Sequence, residues 1–303
     1  MPAELIDGVS IARDIRRRVA EETGALVARG VRPGLAAILV GDDPASATYV
    51  RSKGKACDEA GIHSVTLRLP VTTQQIELLR QIDLLNADPE IHGILVQTPL
   101  PAQIDAEAVM RCVHPSKDVD GFHPVNVGKM LIGQRDGFLP STPAGIREML
   151  RVSGVETTGK DCVIVGRSNI VGKPMAAILM QDAENANCTV TVCHRHTRDL
   201  ASHTKRAEIL IVAAGRPNFI NGEMIRPGAV VIDVGINRVP DSSAKSGYRI
   251  VGDVDFESAR EVASKITPVP GGVGPMTIAM LLSNTVRSAS RFAMRAQHGQ
   301  SLR

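Results

Sequence analysis

Short, nearly continuous apolar runs alternate along this chain with longer segments in which apolar residues return every three or four positions. That alternation predicts strands joined by helices, and so an α/β fold. Residues 35–40 read as a buried strand. Gly41-Asp42-Asp43-Pro44 then supplies a capping carboxylate and a first-turn proline for a helix running to about Gly61. Residues 64–69 predict a second strand, 73 to about 87 a second helix, and 92–97 a third strand. Thr98-Pro99-Leu100-Pro101 ends that strand, because prolines cannot continue a central ladder. Gln97 therefore falls at a strand's carboxyl end, where open α/β sheets bind ligands.

The stretch from 117 to 143, with Asp118, Asp120 and several glycines and prolines, reads as loop and short helix leading to a domain junction. Residues 161–165 then form a strand feeding Gly166, and 189–193, 209–212 and 230–234 predict further parallel strands. Their unbroken apolarity fits strands covered on both faces. The segment 267–275 is too rich in Gly and Pro for regular structure. A helical pattern follows, able to return to the first domain, and the tail from Gln297 reads as frayed. The length of 303 residues accommodates two α/β domains. We place one at residues 1–140 together with the C-terminal helix 276–297, and a Rossmann-like domain at 141–275.

Composition narrows the function classes. A net charge of +3, dispersed along the chain, argues against nucleic acid or a membrane surface as partner. Aromatics make up only 2% of residues, too few for a base-stacking platform. The five cysteines, Cys57, Cys112, Cys162, Cys188 and Cys193, include no CxxC pair, so neither zinc nor a disulfide framework is expected, and a reducing cytoplasm is the simpler setting. The N-terminus lacks the basic-then-apolar pattern of a signal peptide, and no apolar run reaches the length of a membrane span.

Four constellations carry candidate chemistry. Gly166-Arg167-Ser168-Asn169-Ile170-Val171-Gly172 follows a strand and opens a helix, the arrangement that seats a dinucleotide phosphate. Ser168 stands where the usual fingerprint has its middle glycine, and a plain strand-to-helix turn fits the bare pattern equally well. Cys193-His194-Arg195-His196 ends the next strand with basic groups where NAD-specific domains carry an acid. With Arg167 this favours the 2′-phosphate of NADP, although a solvated charged loop has the same look. Tyr49 and Lys53 lie four residues apart and so share a helix face. A desolvated lysine there would exchange protons near neutral pH, while an exposed helix lysine beside a packing tyrosine is the plainer alternative. Asp118 and Asp120 flank Val119 before Gly121, as in many turns, and could equally grip a donor-rich heterocycle. No His or Cys cluster completes a metal site.

The chain resembles the bifunctional methylenetetrahydrofolate dehydrogenase/cyclohydrolase family over nearly its whole length. The resemblance is carried by Tyr49-x-x-x-Lys53, Val96-Gln97-Thr98-Pro99-Leu100-Pro101, Lys117-Asp118-Val119-Asp120-Gly121 and Pro140-Ser141-Thr142-Pro143-Ala144-Gly145. It continues through Gly166-Arg167-Ser168-x-x-Val171-Gly172-x-Pro174, Val231-Ile232-Asp233-Val234-Gly235-Ile236 and the run from Pro268 to Thr277. It implies two α/β domains with a cleft between them and a homodimer formed through the second. It also implies oxidation of 5,10-methylenetetrahydrofolate with NADP and hydrolysis of the methenyl product to 10-formyltetrahydrofolate, without a metal.

By that resemblance Tyr49 stacks on the folate ring and Lys53 is the acid/base of the hydrolytic step, held by Gln97. Asp120 binds the pterin edge, and Pro268, Gly271 and Gly272 line the folate site. Gly166, Arg167, Ser168 and Ile236 fall to the cofactor, and Arg195 joins them on the charge argument above rather than on the resemblance. Ser141 stands where the family often has Cys, and Arg195-His196 where it usually has Ser and then a basic residue. Two rivals remain open on the sequence: another Rossmann dehydrogenase, which leaves Tyr49, Lys53 and Gln97 without work, and a catalytically silent folate- or nucleotide-binding protein.

Overall fold

The computed structural model describes residues 2–244 and 247–297. The chain opens with β1 (Glu4–Leu5) and α1 (Gly8–Val27). By backbone contacts it separates into two compact units, one of Arg13–Ser141 with Ile278–Arg303 and one of Met1–Ala12 with Thr142–Thr277.

The first of these is built on three parallel strands, β2 (Gly34–Val40), β3 (His63–Leu69) and β4 (Gly93–Val96), in the order β3-β2-β4. All seven residues of β2 are buried, as the central strand of a covered sheet must be. Helix α2 (Pro44–Glu59) starts where the sequence predicts: the Asp43 carboxylate accepts from Ser46 N at 2.7 Å, and Pro44 occupies the first turn. Helix α3 (Gln75–Ala87) buries Leu78, Ile82 and Leu85, which join Ile38, Ile91 and Ile94 in one core. Two short helices follow, α4 (Ala106–Cys112) and α5 (Pro124–Leu131).

The second unit begins its own run with α6 (Ser141–Val152), β5 (Asp161–Val165), α7 (Gly172–Leu179), β6 (Thr189–Cys193), α8 (Leu200–Thr204), β7 (Ile209–Val212) and β8 (Val230–Asp233). An antiparallel hairpin, β9 (Asn237–Pro240) with β10 (Tyr248–Val251), is followed by α9 (Phe256–Arg260), β11 (Lys265–Ile266) and α10 (Val273–Gln297). The main sheet is wholly parallel in the order β1-β11-β8-β7-β5-β6. β6 pairs on one side of β5 and β7 on the other, so the winding reverses at β5, which is where such sheets open a ligand crevice. β7 is buried at every position.

The first twelve residues, assigned from the sequence to the first domain, group instead with this second unit. Glu4 and Leu5 extend its sheet by pairing parallel with Lys265 and Ile266. A two-residue strand carries too little periodicity to be read from sequence. Most of α10, from Ile278, belongs to the first unit. There Asn284 Nδ2 donates to the carbonyls of Val119 (2.8 Å) and Leu139 (3.1 Å), tying the loop around Asp120 to the helix. Among the described residues no helix is long and apolar enough to cross a membrane.

Candidate active site

Lys53 lies on α2 with only 8% of its surface exposed. Its Nζ donates to Gln97 Oε1 at 3.0 Å. Gln97 follows β4 directly: its backbone N–H donates to Ile38 O and its Nε2 to Thr98 O, both at 2.9 Å. With the amide nitrogen so engaged, the amide oxygen is the group left to face the lysine. Tyr49, one turn earlier on α2, keeps 36% of its surface exposed, which leaves ring area free to meet a flat ligand.

Burial lowers the proton affinity of Lys53, against the opposing pull of Asp120 and, more weakly, Cys57. Asp120 is half-buried, and the dense packing around its carboxyl raises it to about 6, with Lys53 pulling it down and Asp118 pushing it up. Cys57 sits one turn beyond Lys53 on α2, its thiol pushed up to about 12 chiefly by burial, so it stays protonated.

The two aspartates that the sequence left paired divide their roles. Asp118 accepts from Phe122 N (3.2 Å), His123 N (2.8 Å) and Asn126 Nδ2 (2.8 Å), so its carboxylate is spent holding the turn. Neighbouring Lys117 is likewise consumed, donating to Leu85 O (2.9 Å) and Asp88 O (2.7 Å). Lys53, Gln97 and Asp120 come together within one unit, with Tyr49 on the same helix as the lysine.

The nucleotide-type features gather in the other unit. Gly166 has φ +133°, and a Cβ there would lie 2.2 Å from Ala213 O. Only glycine fits that turn. A Cβ on Gly172 would meet Gly166 O at 2.1 Å, so the turn closes tightly on the start of α7. Ser168 replaces a glycine by doing a different job: its Oγ accepts from Val171 N (3.1 Å) and Gly172 N (3.4 Å), capping α7 and leaving the hydroxyl hydrogen free to donate. Arg195 Nε donates to His196 Nε2 at 3.0 Å on the exposed loop after β6. Ile236 is half-exposed beside Gly274, whose added Cβ would touch Ile236 Cδ1 at 3.8 Å. Pro268, Gly271 and Gly272 also lie in this unit. Val269–Pro270 is cis, Gly271 has φ +107°, and a Cβ on Gly8 would strike Gly272 O at 1.9 Å, so this segment is packed against the start of α1.

Two buried acids that the sequence reading gave no role brace the carboxyl edge of this sheet. Asp253 accepts from the backbone N–H groups of Ala214 (2.6 Å), Gly215 (2.7 Å) and Arg216 (3.0 Å). Asp233 accepts from those of Gly235, Asp253 and Val254, each at 2.9 Å. The one available signal was an acid closing a buried strand, at Asp233. Among the described residues no group of three or more His, Cys, Asp or Glu side chains is placed to hold a metal ion.

A glycine cradle for a dinucleotide in one α/β unit and a desolvated, amide-held lysine in the other define a two-domain nucleotide-dependent enzyme. The tetrahydrofolate dehydrogenase/cyclohydrolase catalytic-domain model matches residues 6–120, and that family's NAD(P)-binding-domain model matches residues 140–293. The chain belongs to the tetrahydrofolate dehydrogenase/cyclohydrolase family. It is 56% identical to the bifunctional protein FolD of Prosthecochloris aestuarii over 289 residues, covering 95% of this chain and 98% of that one. The crystal structure of the bifunctional FolD enzyme of Campylobacter jejuni superposes with a TM-score of 0.91 at 50% identity, covering 95% and 99% of the two chains. The Trypanosoma brucei enzyme, solved with NADP cofactor and an inhibitor, gives 0.91 at 43% identity, covering 96% and 98%.

Proposed function

We propose that this protein oxidises 5,10-methylenetetrahydrofolate with NADP and hydrolyses the methenyl product to 10-formyltetrahydrofolate, with Lys53 as the proton-transferring group of the second step. The observation that carries the assignment is a buried lysine of lowered proton affinity anchored to Gln97 Oε1 at 3.0 Å. A methenyl group is a cation, and a second fixed positive charge beside it would be costly in a dry site. Neutral Lys53 avoids that cost and takes a proton from water as the water oxygen bonds to the methenyl carbon. It then returns the proton to N5 as the C–N5 bond breaks, and the new hydroxyl releases its proton as the formyl carbonyl forms. Gln97 positions the amine, Tyr49 stacks on the folate ring and Asp120 receives the pterin N–H groups.

The second unit suits a dinucleotide. A Cβ would fill the turn at Gly166, and the start of α7 offers backbone N–H groups to a phosphate. Gly166, Arg167, Ser168 and Ile236 hold the cofactor, which when bound accepts the hydride from the folate methylene carbon. Arg195, with Arg167, supports NADP over NAD, because the guanidinium fork matches the 2′-phosphate. A homodimer through this domain is supported by β6, an edge strand with a single partner. The free thiols among its cysteines support a reducing cytoplasm.

The test is an absorbance assay with 5,10-methylenetetrahydrofolate, run with NADP and with NAD while following both reduced nicotinamide and the methenyl chromophore. NADP reduction without methenyl build-up is the expected result. Methenyl accumulation would remove Lys53 from its assigned role, and absence of reduction with either cofactor would overturn the dehydrogenase.

A further inference from the structure

A cavity of about 430 Å³ lies in the first unit, away from Lys53. Its wall includes Ile91 and His92, at the amino end of β4, whereas Gln97 stands at the carboxyl end. The five steps from His92 to Gln97 put the two ends roughly 16 Å apart. The size is that of a small-molecule site.

Its charge is one-sided. Lys117, Lys129, Arg291 and Arg295 line it against a single carboxylate, Asp136, and that carboxylate is already paired with Lys129. Arg291 and Arg295 are four residues apart on α10 and share a face. Neither has an ion-pair partner among the described residues. Arg291 instead lies 5.0 Å over the ring of Phe138. Neighbouring Arg287 lies 5.7 Å over the same ring and donates to the carbonyls of Gly137 and Arg135.

Burial and like charge act together here: burial, Arg287 and Arg295 weaken the hold of Arg291 on its proton against the opposing pull of Asp136, and burial, Lys117, His123 and Arg295 lower His114. A buried polar group stands behind this wall, its ring edge-on to Phe292 at 5.3 Å. His92 is 4% exposed, and its Nδ1 accepts from Gly34 N at 3.1 Å. Its Nε2 therefore carries the hydrogen, and that buried group has no hydrogen-bond partner among the described residues. The wall also has an apolar part, Ile91, Pro115, Phe292 and Met294, beside the uncharged polar Ser116, Asn126 and Ser288.

We propose that this cavity is a second ligand site, taking a small organic phosphate whose phosphate sits between Arg291 and Arg295 and whose flat apolar part rests against Phe292 and Met294. Two guanidinium forks on one helix face match the geometry of a phosphate, and the half-buried Phe292 offers an aromatic surface to a ring.

Calorimetric titration of the full chain with AMP, under saturating NADP so that the cradle at Gly166 is blocked, tests this. Saturable AMP binding is expected, with affinity reduced at least tenfold in Arg291→Gln/Arg295→Gln and also clearly weakened in Arg295→Gln alone, where little packing is lost. Inorganic phosphate should bind more weakly than AMP. Dehydrogenase turnover at saturating substrate should be unchanged in both variants, which shows that they fold. No saturable AMP binding, or equal affinity in the variants, would overturn the site; phosphate binding as tightly as AMP would overturn its organic half.

Discussion

Gln97 Oε1 accepts the hydrogen bond of Lys53 Nζ at 3.0 Å while Gln97 Nε2 is held by Thr98 O at 2.9 Å. An amide in that place orients the amine without contributing a charge. A carboxylate would orient it equally well but would stabilise the ammonium and so remove the base. The pairing of a buried amine with a neutral acceptor is what makes the site suited to work beside a cationic folate.

Lys53→Met keeps the length and apolar stem of the side chain and deletes the amine. Hydrolysis of the methenyl compound should fall roughly 100- to 10,000-fold. The melting temperature should change little, since removing a buried polar amine offsets the loss of the donor to Gln97 Oε1. Stopped-flow loss of the methenyl absorbance measures the first and calorimetry the second; undiminished hydrolysis in a folded variant would refute the assigned role.

Gln97→Glu places a carboxylate against the same nitrogen. The rise of hydrolysis with pH, which follows loss of the Lys53 proton, should then move upward by at least about one pH unit. A pH–rate profile unchanged from the parent would show that Gln97 does not set the state of the lysine.

Asp120 makes a stability prediction with a definite sign. Burial raises it to about 6 in the folded protein from an ordinary value of 3.8. The folded state therefore binds a proton here more readily than the unfolded chain. The contribution is fully present below the unfolded value and is lost as pH rises through about 6. Asp120→Asn should accordingly raise the melting temperature near pH 8 and leave it nearly unchanged near pH 4, while weakening folate binding. A larger gain in acid than in base would contradict the burial argument.

At Gly166 the turn has no room for a methyl group, with Ala213 O only 2.2 Å from the added atom. Gly166→Ala should cost about 2 kcal/mol or more in urea unfolding and weaken NADP binding by at least tenfold. NADP titration giving the parental affinity would place the cofactor elsewhere.

Much of this was legible in the sequence because it rests on local patterns. β6 and β7 span the residues that the apolar runs indicated, and the Asp43 cap and Pro44 mark the start of α2 as expected. What escaped depends on contacts between distant segments. Helix α1 is not legible from pattern alone because its apolar positions are diluted by charge. β1 and β11 are two residues each and exist only through their pairing. The division of labour between Asp118 and Asp120 was hidden because sequence spacing does not say which carboxylate meets the backbone of residues 122 and 123. Asn284 held a faint signal, a polar residue at a buried position of an apolar helix pattern, but its partners Val119 and Leu139 are far away along the chain.

The placement of Lys53, Gln97 and Asp120 in one contact unit, and of Gly166, Arg167 and Ser168 in the other, bears on how such a chain changes over generations. Mutations that spoil the nucleotide cradle leave the lysine's own surroundings untouched, and the reverse holds too. Either activity can therefore decay under relaxed selection while its companion persists, and a descendant with one reaction left would still carry the full outline of its two-reaction ancestor.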